Sequence, residues 1–340
     1  MKKLVFFFAM VFAVGTALAQ SNVATINQYG TNIAEIEQAG SANAGIINQG
    51  TNVSPVTNSG PNNPGNWLYG AFIDQIGNNN EAKITMNSSS NGASIDQKGN
   101  FNKAEQELNA PISKTTSWDR MGLDIDQIGS YNNAAQKTVG SFGCYGVQGM
   151  MIKQEGDYNI ANQLSVGGMS NVTEITQIGN NNNNPTKSGN VYDVSATTLA
   201  DPLSLPFAHR PTGDYTQYTN QMLGTTHIYV EGDNNNTYQH QEYRVWSTSG
   251  RNNAWIDIYG SNNDVAQGQL GESNSSDIDI LGGNNNVITS SQYGDNNFVK
   301  ISLALGSDNC IVGVEQVGNS HSATVSQNGD FNFAKVVQHF

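Results

Sequence analysis

The side chains of this chain that recur at fixed spacing are amides and carboxylates. Gln returns inside one short phrase, an apolar residue followed by x-Gln. Gln28, Gln38, Gln75, Gln97, Gln127, Gln154 and Gln177 hold that place early, and Gln316, Gln327 and Gln338 hold it late. A Gln amide is donor and acceptor at once, so copies set one above another bond in a column. With Asn332, these residues form the candidate assembly ladder. The acids repeat as well. Asp74 and Asp96 lie 22 residues apart between Ile and Gln, and Asp126 follows after an inserted stretch. Asp257 and Asp279 repeat the arrangement. Aligned unit charges ~5 Å apart repel by about 1 kcal/mol in water, and like charges on neighbouring strands weaken pairing. An acidic column is therefore a candidate brake on stacking, relieved by acid, salt or a divalent cation.

Bond-making chemistry has no comparable pattern. His209, His227, His240, His321 and His339 show no metal-ligand spacing. Asp233-Asn234-Asn235 lacks the acid pattern of a calcium loop. No glycine-rich phosphate loop follows a long strand. Cys144 and Cys310 are two small side chains several coils apart, too few for a disulfide framework and too distant for a bridge. The expectation is a protein that is not an enzyme and carries neither cofactor nor metal.

The elements that position these amides follow from their period. Alternation of period two over about five residues is a half-buried strand. Gly30, Gly77, Gly99, Gly129, Gly156, Gly179, Gly260, Gly318 and Gly329 each stand two residues past the Gln place, before Asn-rich sequence. Gly and Asn tolerate positive φ, so Gly-x-x-Asn reads as a turn. Anchors recur 22 to 30 residues apart with one long gap. Val230, Ile258 and Ile280 replace Gln in three of them. A strand-turn-strand-turn coil cannot bury its apolar face alone, whereas stacked coils can. The fold class is all-β, a β-solenoid of about 22-residue coils interrupted by long loops. About ten to twelve coils at ~4.8 Å make a rod on the order of 50–60 Å long.

Residues 1–19 read as a signal peptide, with basic Lys2-Lys3, an apolar run and Ala17-Leu18-Ala19. Residues 20–183 read as one solenoid segment, 184–226 as a Pro-containing insertion, and 227–340 as a second segment. The insertion holds Pro185, Pro202, Pro206 and Pro211, which cannot sit in a central ladder. Stretches around 53–70 and 109–122 read as shorter loops for the same reason. Loss of Lys2 and Lys3 takes the formal charge from −13 to −15. That balance argues against nucleic acid and against anionic lipid as partners. No later stretch is apolar for long enough to predict a transmembrane helix in the mature chain. The closing strands are half the length of barrel strands, and polar outside.

Gln327, Gly329, Asn332, Ala334 and Gln338 match Gln-x-Gly-x2-Asn-x-Ala-x3-Gln without a gap. Gln316, Gly318, Ala323 and Gln327 match it with His321 in the Asn place. Gln97, Gly99, Asn102 and Ala104 match up to Leu108, and Gln28, Gly30, Asn32, Ala34 and Gln38 match with one residue fewer. The pattern resembles the curlin repeat of curli-type bacterial amyloid fibre subunits, over most of residues 22–340. The resemblance implies an extracellular amyloid component of adhesion and biofilm matrix. It implies partners too: self-assembly or related curlin-like subunits, and outer-membrane secretion and nucleation proteins reached through the periplasm. Two other readings stand beside it. One is a monomeric solenoid adhesin that binds through 184–226 or the segment around Trp246. The other is a β-helix enzyme acting on polysaccharide, which needs acids and bases clustered on one face.

Overall fold

In the computed structural model, the described residues are 21–28, 33–50, 70–87, 91–109, 120–142, 147–168, 172–183, 217–220, 225–242 and 252–339. The signal segment, Gly30 and Cys144 fall outside them. The described residues contain strands and no helix. In chain order the strands are β1 (Val23–Gln28), β2 (Ala34–Ser41), β3 (Ala44–Gln49), β4 (Gly70–Asn78), β5 (Glu81–Met86), β6 (Asn91–Asn100), β7 (Lys103–Leu108) and β8 (Arg120–Ser130). Next come β9 (Asn133–Phe142), β10 (Val147–Glu155), β11 (Ile160–Gly168), β12 (Val172–Ile178), β13 (Gln217–Asn220), β14 (Thr225–Glu231), β15 (Asn236–Glu242) and β16 (Asn253–Tyr259). The last are β17 (Asp264–Leu270), β18 (Ser275–Leu281), β19 (Val287–Tyr293), β20 (Phe298–Leu303), β21 (Ile311–Val317), β22 (Ser322–Gln327) and β23 (Phe333–His339).

Odd strands form one sheet of twelve and even strands a second of eleven, each in sequence order and parallel throughout. This is the β-solenoid that the repeats predict. Its core is narrow because each strand is short and turns inward every second residue. Ile73, Ile95, Ile125, Ile152, Ile175, Ile228, Ile256, Ile278 and Ile301 stack in one unbroken column of the even sheet. Like on like suits a parallel stack, because every coil offers the next the same β-branched surface. The two sheets supply the walls that βαβ helices supply elsewhere, so parallel strands are covered without helices.

The sheets run straight through the stretch read as a loop between two segments. β13 lies inside it and pairs with β11 and β15, and β12 pairs with β14. The described residues therefore form one interrupted stack, with residues 217–220 and 225–226 inside the ladder. All four prolines precede β13, so the steric objection to a strand ends before Gln217.

The turn glycines are required by close approach. At Gly99, φ is +132° and an added Cβ would collide with the carbonyl oxygen of Gly129 in the next coil. Gly77, Gly129, Gly156, Gly179 and Gly260 sit in that same corner, and Gly329 ends it. Gly318 belongs to the opposite corner, above Gly294. The second positive φ of the turn falls on the residue before the motif Asn, such as Asn79 at 56°. The motif Asn itself points inward.

Candidate functional site

The amides lie in three inward columns. In the even sheet, Gln38, Gln75, Gln97, Gln127, Gln154 and Gln177 form one continuous run. Each Nε2 donates to the Oε1 of the next, at 2.7, 2.8, 2.8, 2.9 and 2.9 Å. The second proton of each goes to a backbone carbonyl of the odd sheet, as from Gln97 to Glu81 O at 3.1 Å. The column thus ties the sheets together while satisfying itself, which removes the desolvation cost of an isolated buried amide. The run stops at Val230, where Gln177 meets an aliphatic side chain in register.

The odd sheet takes over in the second half. Gln241, Gln269, Gln292, Gln316 and Gln338 bond in sequence at 2.8, 2.8, 3.1 and 2.7 Å. In the same column, Gln28 donates to Gln49 at 2.6 Å near the start. A parallel column joins Gln106, Gln136 and Gln163, and further on Gln239 and Gln267. Gln316, Gln327 and Gln338, eleven apart in sequence, are thus not one ladder. Gln316 and Gln338 face each other in the odd sheet, whereas Gln327 stands in the even sheet opposite Leu303. The buried Gln atoms without partners fall where the register changes residue: Gln106 Oε1 at Ile84, Gln267 Nε2 at Ser290 and Gln327 Oε1 at Leu303.

A fourth column is built of asparagine, of which Asn332 alone was singled out in the sequence. The motif asparagines Asn43, Asn80, Asn102, Asn132, Asn159, Asn182, Asn235, Asn263 and Asn286 are all buried. Each Oδ1 accepts the backbone N–H of its successor, from Asn80 N at 3.0 Å onward. From Asn43 to Asn263 each Nδ2 donates to the carbonyl of a turn glycine in the following coil, as from Asn102 to Gly129 O at 2.8 Å, whereas Asn286 Nδ2 donates back to Asn263 Oδ1 at 3.0 Å. Cys310 takes the next place, with its Sγ 3.3 Å from Gly329 O. It is free and buried. Asn332 stands one coil beyond, and its amide bonds only its own turn, at Asn328 O and Gly329 O. The signal that finds the missed Gln106, Gln136, Gln163, Gln239 and Gln267 is a constant offset of four from this Asn.

The acids lie outward in register, exposed at Glu37 and half-buried at the aspartates. Glu37, Asp74, Asp96 and Asp126 follow one another down the even sheet, with Lys153 next. Asp257 pairs with Asp279 further on. Burial, and then the neighbouring Asp96 carboxylate, raise the pKa values of Asp74 and Asp126. Asp124, which sequence reasoning passed over, is pushed highest, to about 6, by burial and by Asp126 and Asp96. The columns are not purely anionic. Lys98 bonds Asp96 at 3.0 Å, and Lys300 bonds Asp277 at 2.7 Å and Asp279 at 3.3 Å. His227 lies between Glu174 at 3.3 Å and Asp257 at 3.5 Å, and these carboxylates lift its pKa to about 9. Among the described residues no group of three His, Cys, Asp or Glu is placed to hold a metal ion. Among them no helix is long and apolar enough to cross a membrane.

No protein-family model matches the chain, and no curated protein matches it either.

Proposed function

We propose that this protein is an exported structural subunit of a curli-like amyloid fibre or matrix, serving cell adhesion and biofilm formation. The observation that carries the reading is that, among the described residues, each end of the stack has an open strand edge. Among the described residues β1 pairs only with β3, and β23 only with β21. The edges are complementary because the amide column has a direction. Within the columns each Gln-to-Gln bond runs toward the higher-numbered coil, so Gln28 turns its Oε1 outward at one end. At the other end Gln338 receives from Gln316 and spends one proton on Ser322 O, which leaves its second proton for a further coil. A second copy laying its β1 along β23 sets Ala24 on Ala334, Ile26 on Val336 and Gln28 on Gln338. Such a contact is head-to-tail and does not close, so it propagates as a filament. A solenoid that stays monomeric covers its terminal coils.

The basic-apolar-small pattern of residues 1–19 supports export to the cell surface, and the curlin-like repeats support a matrix role beside secretion and nucleation partners. No constellation for catalysis enters the reading. The test is electron microscopy and thioflavin fluorescence of the purified mature chain over time. Fibres that lengthen after a lag are expected. A monodisperse monomer that persists and adheres to a surface points to the adhesin reading.

A further inference from the structure

Three successive coils carry an aromatic residue at a position that holds Asn in most of the other described coils. Phe101, Tyr131 and Tyr158 each follow a turn glycine by two, with φ of 58°, 61° and 61°. Asn79, Asn181, Asn234 and Asn262 occupy the same left-handed place in other coils. Asn tolerates that conformation, whereas a bulky aromatic there is an outlier with an energetic cost. The three rings stack nearly parallel. Phe101 and Tyr131 lie 4.9 Å apart at 3°, and Tyr131 and Tyr158 lie 4.8 Å apart at 2°. Tyr131 is 46% exposed, so a reagent in solution reaches the pair.

We propose that Tyr131 and Tyr158 are a modification site, where oxidative coupling of the two phenols ties neighbouring coils together as a dityrosine. The turn backbone holds the rings opposite each other: Tyr131 N donates to Asn100 O and Tyr158 N to Ser130 O, both at 3.0 Å. Two reactants fixed this close meet at a very high effective concentration. Phe101 closes the other face of Tyr131 with a ring that has no hydroxyl, so within the stack Tyr131 has one phenolic neighbour. The co-reactant is a one-electron oxidant of the peroxidase class using hydrogen peroxide. Each phenol gives up one electron and one proton and becomes a phenoxyl radical. The unpaired electron is shared with the ring carbons ortho to oxygen. Two such carbons join in one C–C bond, and their hydrogens move to the two oxygens as both rings regain aromaticity. The protein loses two hydrogen atoms, and the peroxide takes them up as it becomes two waters. The product is a covalent staple on the rod's surface, which does not depend on polymerisation.

The experiment treats the full mature chain, dilute, with peroxidase and hydrogen peroxide, isolates the monomer and maps cross-linked peptides by mass spectrometry. A peptide pair joining Tyr131 to Tyr158 with two hydrogens fewer is expected. Y131F and Y158F keep both stacked rings and the β circular dichroism, and each is expected to abolish that peptide. Absence of the 131–158 link from oxidised wild-type monomer, or its occurrence only between chains, overturns the proposal.

Discussion

Replacing Gln97 by Ala strands two amide atoms at once, the Nε2 of Gln75 and the Oε1 of Gln127, in a fully buried column. An orphaned buried polar group costs about 1–3 kcal/mol, so Q97A is expected to lower stability in urea by several kcal/mol. Gln327 faces the same core with the opposite consequence. Its Oε1 is already without a partner and its register neighbour is Leu303. Gln327→Leu is expected to leave urea resistance unchanged or raise it, and a loss comparable to that of Q97A would contradict the column assignment. His227 makes a second residue-scale case. Its folded pKa of about 9 stands above the ordinary imidazole value of 6.5, so its contribution is complete below pH 6.5 and is lost as pH rises through 9. The imidazole is only part-buried, so that contribution is on the order of 1–2 kcal/mol. NMR titration of the His227 ring checks the value. E174Q is expected to move it down, and an unmoved titration near 6.5 in the wild type would remove the Glu174–His227–Asp257 bridge.

At the scale of the element, the coil depends on corners that only glycine can make. Gly99→Ala puts a methyl group against the backbone of Gly129 in the next coil, which cannot yield without separating the strands. Gly329 also has positive φ, at 93°, but nothing lies within contact of its added Cβ except Asn332 Nδ2 at 3.9 Å. The first substitution is expected to disrupt the stack. The second costs only backbone strain of about 1 kcal/mol. Equal loss of thermal stability in the two variants would show that corner stacking is not the reason for glycine. The same corner explains what the sequence made visible. Ile-x-Gln-x-Gly declares itself because strand, amide and turn are all marked within five residues, and the even sheet was readable for that reason. The odd strands declare less: their inward places hold Ala, Gly, Ile, Leu, Val, Gln, Ser, Thr or Met, and only the offset from the preceding Asn keeps the frame. Which column each late Gln joins was hidden, because Gln316, Gln327 and Gln338 share a spacing while alternating between sheets. β13 was hidden too, since a four-residue strand takes its register from β11 and β15 and not from its own pattern.

At the scale of the whole molecule, the question is how an acidic rod stacks. The formal charge is −13 for the full sequence, and the even sheet concentrates acids in adjacent coils at Glu37, Asp74, Asp96, Asp124 and Asp126. Lys98 and Lys153 are the cations that offset them there. The residues in register with Asp124 are Ser94 and Met151, neither of which can neutralise it. Its folded pKa of about 6 lies above the ordinary carboxyl value of 3.8, so the folded state holds this proton more tightly than the unfolded chain. The sign follows directly. Stability is favoured below pH 3.8 and declines as pH rises through 6, by at most about 3 kcal/mol for this group. Asp74, Asp126 and Asp279 are displaced in the same direction and add to it. Glu174 and Glu107 are displaced oppositely, by His227 and Lys137, and moderate the gain in strong acid. The rod is therefore expected to resist urea better at pH 5 than at pH 7.5, and fibre growth followed by thioflavin is expected to quicken over the same interval. D124N is expected to give the acid-like stability at pH 7.5 and to flatten much of the dependence. D74N/D96N/D126N is expected to flatten the remainder by removing the repulsion between coils. Added salt screens exposed charges but leaves the burial of Asp124 untouched, so salt is expected to mimic the triple variant better than D124N. A D124N protein that keeps the wild-type pH profile would place the acid response outside this column.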